Sequence, residues 1–344
     1  MTGGKSREMD YLIAFNMVSG IGGRRLMAIK NHFGSLERAW HASKGALMEV
    51  EGVGPTIADR FCALRPNLSP QAEEAWARGL GAQILTLNDP GYPAYLRRLV
   101  VPPPVLYVLG ALPETPGVAV VGTRKPSRVG IAQAKQFSAY LVSKGLPVIS
   151  GLARGIDYFA HEQVVKMNGQ AVAVLGSNLG NLYPSEHRML AKQIAERGAV
   201  ITEFSSHCST VPGNFPRRNR IIAGCSRGVL VVQAGAKSGA IHTADWALDL
   251  GIDVWAIPGE ISDPLRHGTH RLIKQGAALV SDPADLLACG ADAPLQEGSA
   301  TQPSLEDLLE AGLHANAIAA ALDRPIQEVL AEISLFQLQR GSGI

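Results

Sequence analysis

Between residues 116 and 287, short apolar runs rich in β-branched residues alternate with amphipathic or helix-favouring segments. The runs fall at 118–121, 147–149, 171–175, 199–201, 229–232, 254–257 and 277–280; segments such as 131–143, 156–167, 185–197, 241–250 and 270–274 separate most of them. A strand that is apolar at every position must be covered on both faces. Such strands, joined by helices and right-handed crossovers, build an α/β domain with a doubly wound, mostly parallel sheet. The functional loops of a sheet of this kind gather beyond the carboxyl ends of its strands. Residues 117–157 set the pattern. They hold a buried strand, a polar turn carrying Gly122, Thr123, Arg124, Lys125 and Ser127, a helix, a second buried strand, and a second polar turn beginning Ser150-Gly151. If the two strands are parallel neighbours, both turns open on one edge.

That edge lacks the usual nucleotide loops. Gly122-Thr123-Arg124 is without the second glycine of G-x-G-x-x-G, and in Gly235-Ala236-Lys237-Ser238 the lysine follows alanine where a Walker loop has glycine. An NAD enzyme and a P-loop ATPase are therefore disfavoured, and no cofactor is expected. None of Ser127, Ser150 or Ser238 sits in a G-x-S-x-G elbow. The histidines His161, His187, His207, His242, His267 and His270 have no acidic ligand cluster beside them, so no metal is expected. The four cysteines, Cys62, Cys208, Cys225 and Cys289, form no C-x-x-C pair and read as reduced thiols. Glu203, after a strand end, is the best candidate for a catalytic carboxylate, but orienting a loop arginine is the favoured role. The expectation is a protein that is not an enzyme. No apolar run approaches the ~20 residues of a spanning helix, and the start of the chain carries no convincing cleavage site. A soluble, cytoplasmic protein is expected.

What remains is a ring of small, polar, glycine-rich strand ends, whose backbone N–H groups and helix starts make a concave anion site. The formal net charge is only +2, so a polyanion has to be met by local arginines and lysines. The densest cluster is Phe215-Pro216-Arg217-Arg218-Asn219-Arg220. Proline favours a helix start at or after Pro216, which puts three arginines in the first turns, where the helix dipole is already positive. That arrangement suggests an external anion; the alternative is pairing of one or two of them with Asp157, Glu203 or Asp245. Arg124 and Lys125 project from the same edge, and arginines from separate turns would form a sequence-tolerant track for phosphates. Phe215, Tyr183 and Tyr158 could stack on bases, with core packing as the alternative.

The flanks read as separate modules. Residues 1–66 are helical, with two similar turns, Val18-Ser19-Gly20-Ile21-Gly22 and Val50-Glu51-Gly52-Val53-Gly54. They resemble a helix-hairpin-helix or SAM-like module, the former a sequence-independent binder of DNA backbone; helix packing or protein contact is the alternative. Residues 67–288 form the central domain, entered through a stiff segment with strands at 83–87 and 105–109. Residues 289–303 read as a linker, and 304–344 as three short helices of a truncated winged-helix type with few basic residues.

Taken together, several motifs resemble the DNA-processing protein A family (DprA/Smf). They are Gly122-Thr123-Arg124 with Ser127 and Gly130; Ser150-Gly151-Leu152-Ala153-Arg154-Gly155-Ile156-Asp157; Tyr183-Pro184; Thr202-Glu203-Phe204; Phe215 to Gly224; Ser238-Gly239 with Thr243 and Ala244; and Pro258-Gly259. The resemblance covers about residues 83–288. It implies an extended Rossmann-like fold that binds single-stranded DNA, dimerises, and helps load the RecA recombinase during natural transformation. The family's DNA-contacting arginine maps onto Arg124 and its basic segment onto Arg217, Arg218 and Arg220. The expected nucleic-acid contacts are Gly122, Arg124, Lys125, Ser127, Ser150, Gly151, Phe215, Arg217, Arg218, Asn219, Arg220, Ser238 and Gly239. The competing reading is a nucleotide phosphoribohydrolase-like enzyme on a related Rossmann domain. Against it, the segment from Gly235 through Thr243 to Trp246 has no glutamate three residues after the threonine.

Overall fold

All nine apolar runs form strands of one sheet, in the spatial order β1-β2-β6-β5-β4-β3-β7-β8-β9. The computed structural model describes residues 3–287. The linker, the C-terminal helices and Cys289 lie outside the described residues. The strands are β1 (Ala82–Thr86), β2 (Val105–Gly110), β3 (Gly117–Val121), β4 (Val148–Ser150), β5 (Ala171–Val174), β6 (Ala199–Thr202), β7 (Ser226–Val231), β8 (Asp253–Ala256) and β9 (Ala278–Leu279). From β6 to β9 every pairing is parallel, whereas β2 runs antiparallel to both β1 and β6. The chain winds outward from β3 in one direction through β4, β5 and β6, then returns to pair β7 on the other side of β3. The carboxyl ends of β3 and β7 therefore flank the point where the winding reverses, where doubly wound sheets bind ligands.

Period-two alternation divides the sheet's side chains between two cores. Val118 and Val120 join Phe137 and Leu141 of α8 (Arg128–Ser143), Ile156 and Val164 of α9 (Ile156–Lys166), and Leu190 and Ile194 of α10 (Arg188–Arg197). Ala119 and Val121 join Ile221 and Ile222 of α11 (Asn214–Gly224), Ala240 and Ala244 of α12 (Gly239–Asp249), and Leu272 of α13 (His267–Lys274). Each fully buried Val, Leu, Ile or Phe contributes about 1.5–3 kcal/mol. The sheet is thus anchored on both faces, and residues just beyond the strand ends, such as Leu152, Leu175 and Val232, extend the core.

The helical module comprises α1 (Gly3–Asn16), α2 (Gly23–Phe33), α3 (Leu36–Trp40), α4 (Lys44–Met48) and α5 (Pro55–Leu64); α6 (Pro70–Gly79) and α7 (Ala94–Arg97) follow. Phe15 stacks on Phe61 at 5.0 Å, and Trp40 meets both edge-on. This core continues into Ala82, Val105 and Tyr107 of β1 and β2. Shared burial explains why the module and the sheet belong to one compact unit.

One boundary differs from expectation in a way that matters. Helix α11 begins at Asn214, ahead of Pro216. Proline is tolerated there because first-turn N–H groups have no partner within the helix. Arg217, Arg218 and Arg220 therefore lie inside the helix, and the face it packs on the sheet sets where each points.

Candidate nucleic-acid interface

A cavity of about 990 Å³ opens where the winding reverses, between the ends of β3 and β7 and the first turns of α11 and α12. Its β3 side is the Gly122–Lys125 turn. A Cβ on Gly122 would lie 2.6 Å from Ile156 and 2.8 Å from the carbonyl of Gln233, so only glycine fits. Thr123 N–H donates to that carbonyl at 2.7 Å. Arg124 and Lys125 then emerge into solvent. Ser127 caps α8, its Oγ accepting from the Gly130 N–H at 3.1 Å. The fully buried Gln233 side chain accepts from Ser127 N–H at 2.9 Å and donates to Ser127 Oγ at 3.1 Å. Gln233 thereby ties the loop after β7 to the turn after β3. Sequence reasoning passed over it; the available signal was a lone amide side chain directly after the apolar run 229–232.

The second turn is more deeply set. Ser150 is fully buried, with its hydroxyl donating to the Val120 carbonyl at 2.7 Å. A Cβ on Gly151 would come within 2.5 Å of the Arg218 guanidinium. Arg218, buried to 4% exposure, donates to the Gly151 carbonyl at 2.7 Å and to the Val174 carbonyl. Burial lowers its pKa to about 10, so the group remains charged near neutrality. Asp157 accepts from Gly151 N–H at 3.1 Å; burial pushes its carboxyl up, and Arg218 works against that push. Arg218 is thus both a wall of the cavity and the link between the ends of β4 and β5.

Helix α11 splits the basic segment by its 3.6-residue period. Phe215, Arg218 and Asn219 line the cavity. Arg217 and Arg220, three residues apart, turn instead to Glu203, each placing an Nη2 at 2.7 Å from the same Oε2. Glu203 is 2% exposed and does not line the cavity. The pairing alternative therefore describes Arg217 and Arg220, and the carboxylate singled out for possible chemistry is occupied by two guanidiniums. Asp245 lies 3.7 Å from His242 instead. Asn219 donates to the Gly239 carbonyl at 3.2 Å, steadying the start of α12, and Ser238 caps that helix.

The solvent-facing part of the site is aromatic and cationic. The Arg124 guanidinium lies 5.6 Å from the centroid of the Phe215 ring, and Tyr183 meets Phe215 edge-on at 5.6 Å. Tyr158 packs on Phe159 and His187 and does not line the cavity. Lys237, absent from the expected contacts, is exposed on the opposite rim with Ser238 and Gly239. No ion pair engages Arg124, Lys125 or Lys237 among the described residues. Among those residues no group of His, Cys, Asp or Glu is placed to hold a metal ion, and no helix is long and apolar enough to cross a membrane.

Comparison with known proteins agrees with this architecture. The sequence profile of the family described as DNA recombination-mediator protein A matches residues 83–290. Protein Smf of Synechocystis is 40% identical over 311 residues, 89% of this chain and 78% of that protein. The DNA processing protein DprA of Streptococcus pneumoniae is 39% identical over 205 residues, 59% of this chain and 72% of that protein. The structure of S. pneumoniae DprA superposes with a TM-score of 0.67 and 29% identity, covering 81% of this chain and 95% of that one. The structure of DNA processing protein A from Helicobacter pylori, described for its single-stranded DNA binding mode, gives a TM-score of 0.54 and 26% identity over 60% of this chain and 95% of that one. The chain belongs to the DNA recombination-mediator protein A family.

Proposed function

We propose that the chain binds single-stranded DNA without sequence preference at the switch-point cavity and acts as a recombination mediator rather than as an enzyme. The observation that carries this reading is the rim of exposed, unpaired cations, Arg124, Lys125 and Lys237, around the Phe215–Tyr183 aromatic pair. Cations on separate loops suit successive phosphates, and an aromatic face accepts any base, so affinity comes without sequence readout. Membership of the family supports the further steps: delivery of the strand to a RecA recombinase, action in natural transformation, work as a homodimer, and residence in the cytoplasm. A catalytic role draws no support from Glu203, whose carboxylate is buried between two arginines away from the cavity.

The test is equilibrium binding of labelled mixed-sequence oligonucleotides across a salt series. Single strands bind more tightly than duplexes, affinity falls steeply with salt, and the Arg124→Ala variant loses most of it. Parent-like binding by that variant at moderate salt overturns the proposed track. Release of free base from nucleoside monophosphates, abolished by Glu203→Gln, overturns the non-enzymatic reading.

A further inference from the structure

A second concave site lies on the same sheet edge, outside the cavity. It is a groove of about 400 Å³ beyond the carboxyl ends of β5 and β6, with Trp76 of α6 as one wall. Two loops supply residues to both the groove and the cavity. In the loop after β5, Asn178, Gly180 and Asn181 line the groove, while Tyr183 lines the cavity. In the loop after β6, Ser206 to Ser209 line the groove, while Thr210 to Pro212 line the cavity. Asn181 and Tyr183 are exposed on either side of the buried Leu182, so their backbones stand no more than ~7 Å apart. That span is about two stacked base steps of a nucleic-acid strand.

The walls of the groove are fixed from behind. Glu73, three residues before Trp76 and 1% exposed, accepts from the Tyr107 hydroxyl and the Ser206 N–H, each at 2.8 Å, and from the Ser206 hydroxyl. Asn178, also buried, donates to the Cys208 carbonyl at 3.1 Å and accepts from the Asn181 N–H at 2.8 Å, which ties the two loops together. The groups facing the groove are left without such partners. Trp76 is half-buried and meets Tyr107 edge-on at 6.0 Å, and its indole N–H has no acceptor among the described residues. Gly180 leaves the indole uncovered on its side, where a Cβ would stand 3.2 Å from Trp76 Cζ2. The Asn181 amide and the Ser209 hydroxyl are exposed and likewise unpartnered among those residues. His207 Nδ1 lies 2.9 Å from Ser206 Oγ, whose proton goes to Glu73, so the neutral ring donates there and keeps Nε2 as an acceptor.

No lysine or arginine lines the groove, and the carboxylate behind it is buried and hydrogen-bonded. A phosphate finds no counter-charge there. An unstacked base finds an aromatic ring and neutral donors and acceptors, the groups that hold bases. We infer that this groove seats a nucleobase of the same single strand that occupies the cavity, stacked on Trp76 with its edge toward the Asn181 amide. The inference rests on the reading that the cavity binds single-stranded DNA. The strand passes over the ridge at residues 181–183, and its phosphates stay with the cations of the cavity rim.

The experiment compares binding of the full chain to oligothymidylate of about twelve nucleotides, long enough to fill both positions, and to an abasic strand of the same length. Trp76→Leu lowers affinity for the thymidine strand about tenfold, the worth of one base stack, and leaves the abasic strand as in the parent. Trp76→Phe keeps most of the affinity, because the smaller ring still stacks. It also removes the part of the tryptophan fluorescence that the thymidine strand quenches and the abasic strand does not. Equal loss on both strands in Trp76→Leu assigns Trp76 to packing alone and overturns the inference, as does parent-like binding of both. If Trp76→Leu fails to fold, the fluorescence decides: quenching in Trp76→Phe equal to the parent's overturns the inference. Arg124→Ala weakens both strands. If it does so while the Trp76 variants match the parent, the groove is wrong and the cavity reading stands. If Arg124→Ala is silent, or the parent binds no single strand, the cavity reading fails and the groove with it.

Discussion

Arg124 and Lys125 in the turn after β3, and Arg218 and Arg220 in α11, are all basic residues at one edge of the sheet, yet solvent reaches the first pair and not the second. The exposed pair has no ion-pair partner among the described residues, Arg124 resting only against the Phe215 ring. The buried pair is committed, Arg218 to the carbonyls of Gly151 and Val174 and Arg220 to Glu203. Two residues with the same side chain, two positions apart in α11, therefore hold the strand ends together, while Arg124, in a loop, stays exposed. Arg218 and Arg220 are buried framework, Arg124 and Lys125 an exposed rim, and Arg217, exposed yet paired with Glu203, stands between the two groups.

The sharpest test of that division is Arg218→Ala. It strips a donor from two buried carbonyls and leaves the Asp157 carboxyl without its nearby cation, which destabilises the fold by about 3–5 kcal/mol. A urea unfolding midpoint measures it, and a loss under about 1 kcal/mol would mean that Arg218 is free for a ligand after all. His161 extends the same buried layer. Burial, with His187 and Arg218 nearby, lowers its pKa to about 3. The folded state thus holds the ring neutral while the unfolded chain takes up a proton below about pH 6.5. Since the unfolded state binds more protons in this window, stability is full above pH 6.5 and falls by about 1.4 kcal/mol per unit as pH drops towards 3. In urea unfolding at pH 4, 5 and 6, His161→Gln removes this slope relative to the parent; an unchanged slope would place the acid sensitivity elsewhere.

The exposed side of the comparison predicts the reverse pattern. Arg124→Ala leaves unfolding within about 0.5 kcal/mol of the parent but weakens single-strand binding about tenfold or more, the worth of a charge-assisted hydrogen bond. Fluorescence anisotropy and calorimetry on one preparation separate the two effects. Lys237→Ala gives the smallest change, about threefold, as one point charge at the rim. If Lys237→Ala instead lowers stability as much as affinity, the rim is framework too.

The sheet was legible because its strands are uniformly apolar and short, and a buried strand has few other ways to cover both faces. Residues 117–157 placed their two turns correctly: β3 and β4 are parallel neighbours, and the turns that follow them open on one edge. Direction along the edge was less legible, since β1 and β2 are antiparallel and nothing in an isolated apolar run records which way its neighbour points. The role of Gln233 was hidden for a related reason. Its hydrogen bonds span 106 residues to Ser127, a pairing that exists only after β3 and β7 are side by side. The helical module read as a separate domain because its pattern changes at Pro66, but its core runs on into β2.

Local chemistry by itself determined the elements, the capping roles of Ser127 and Ser238, and the concentration of basic residues near two turns, since these depend on neighbours a few residues away. Tertiary structure alone decided which arginines meet solvent. Packing Ile221 and Ile222 on the sheet orients α11 so that Arg217 and Arg220 point to Glu203 and Arg218 sinks beneath Gly151. The partner carboxylate lies beyond β6 and the partner carbonyls beyond β4 and within β5, so no local pattern could have assigned the three charges. What fixes them is the balance between desolvating a guanidinium and surrounding it with acceptors, and that balance is set only when the strand ends come together.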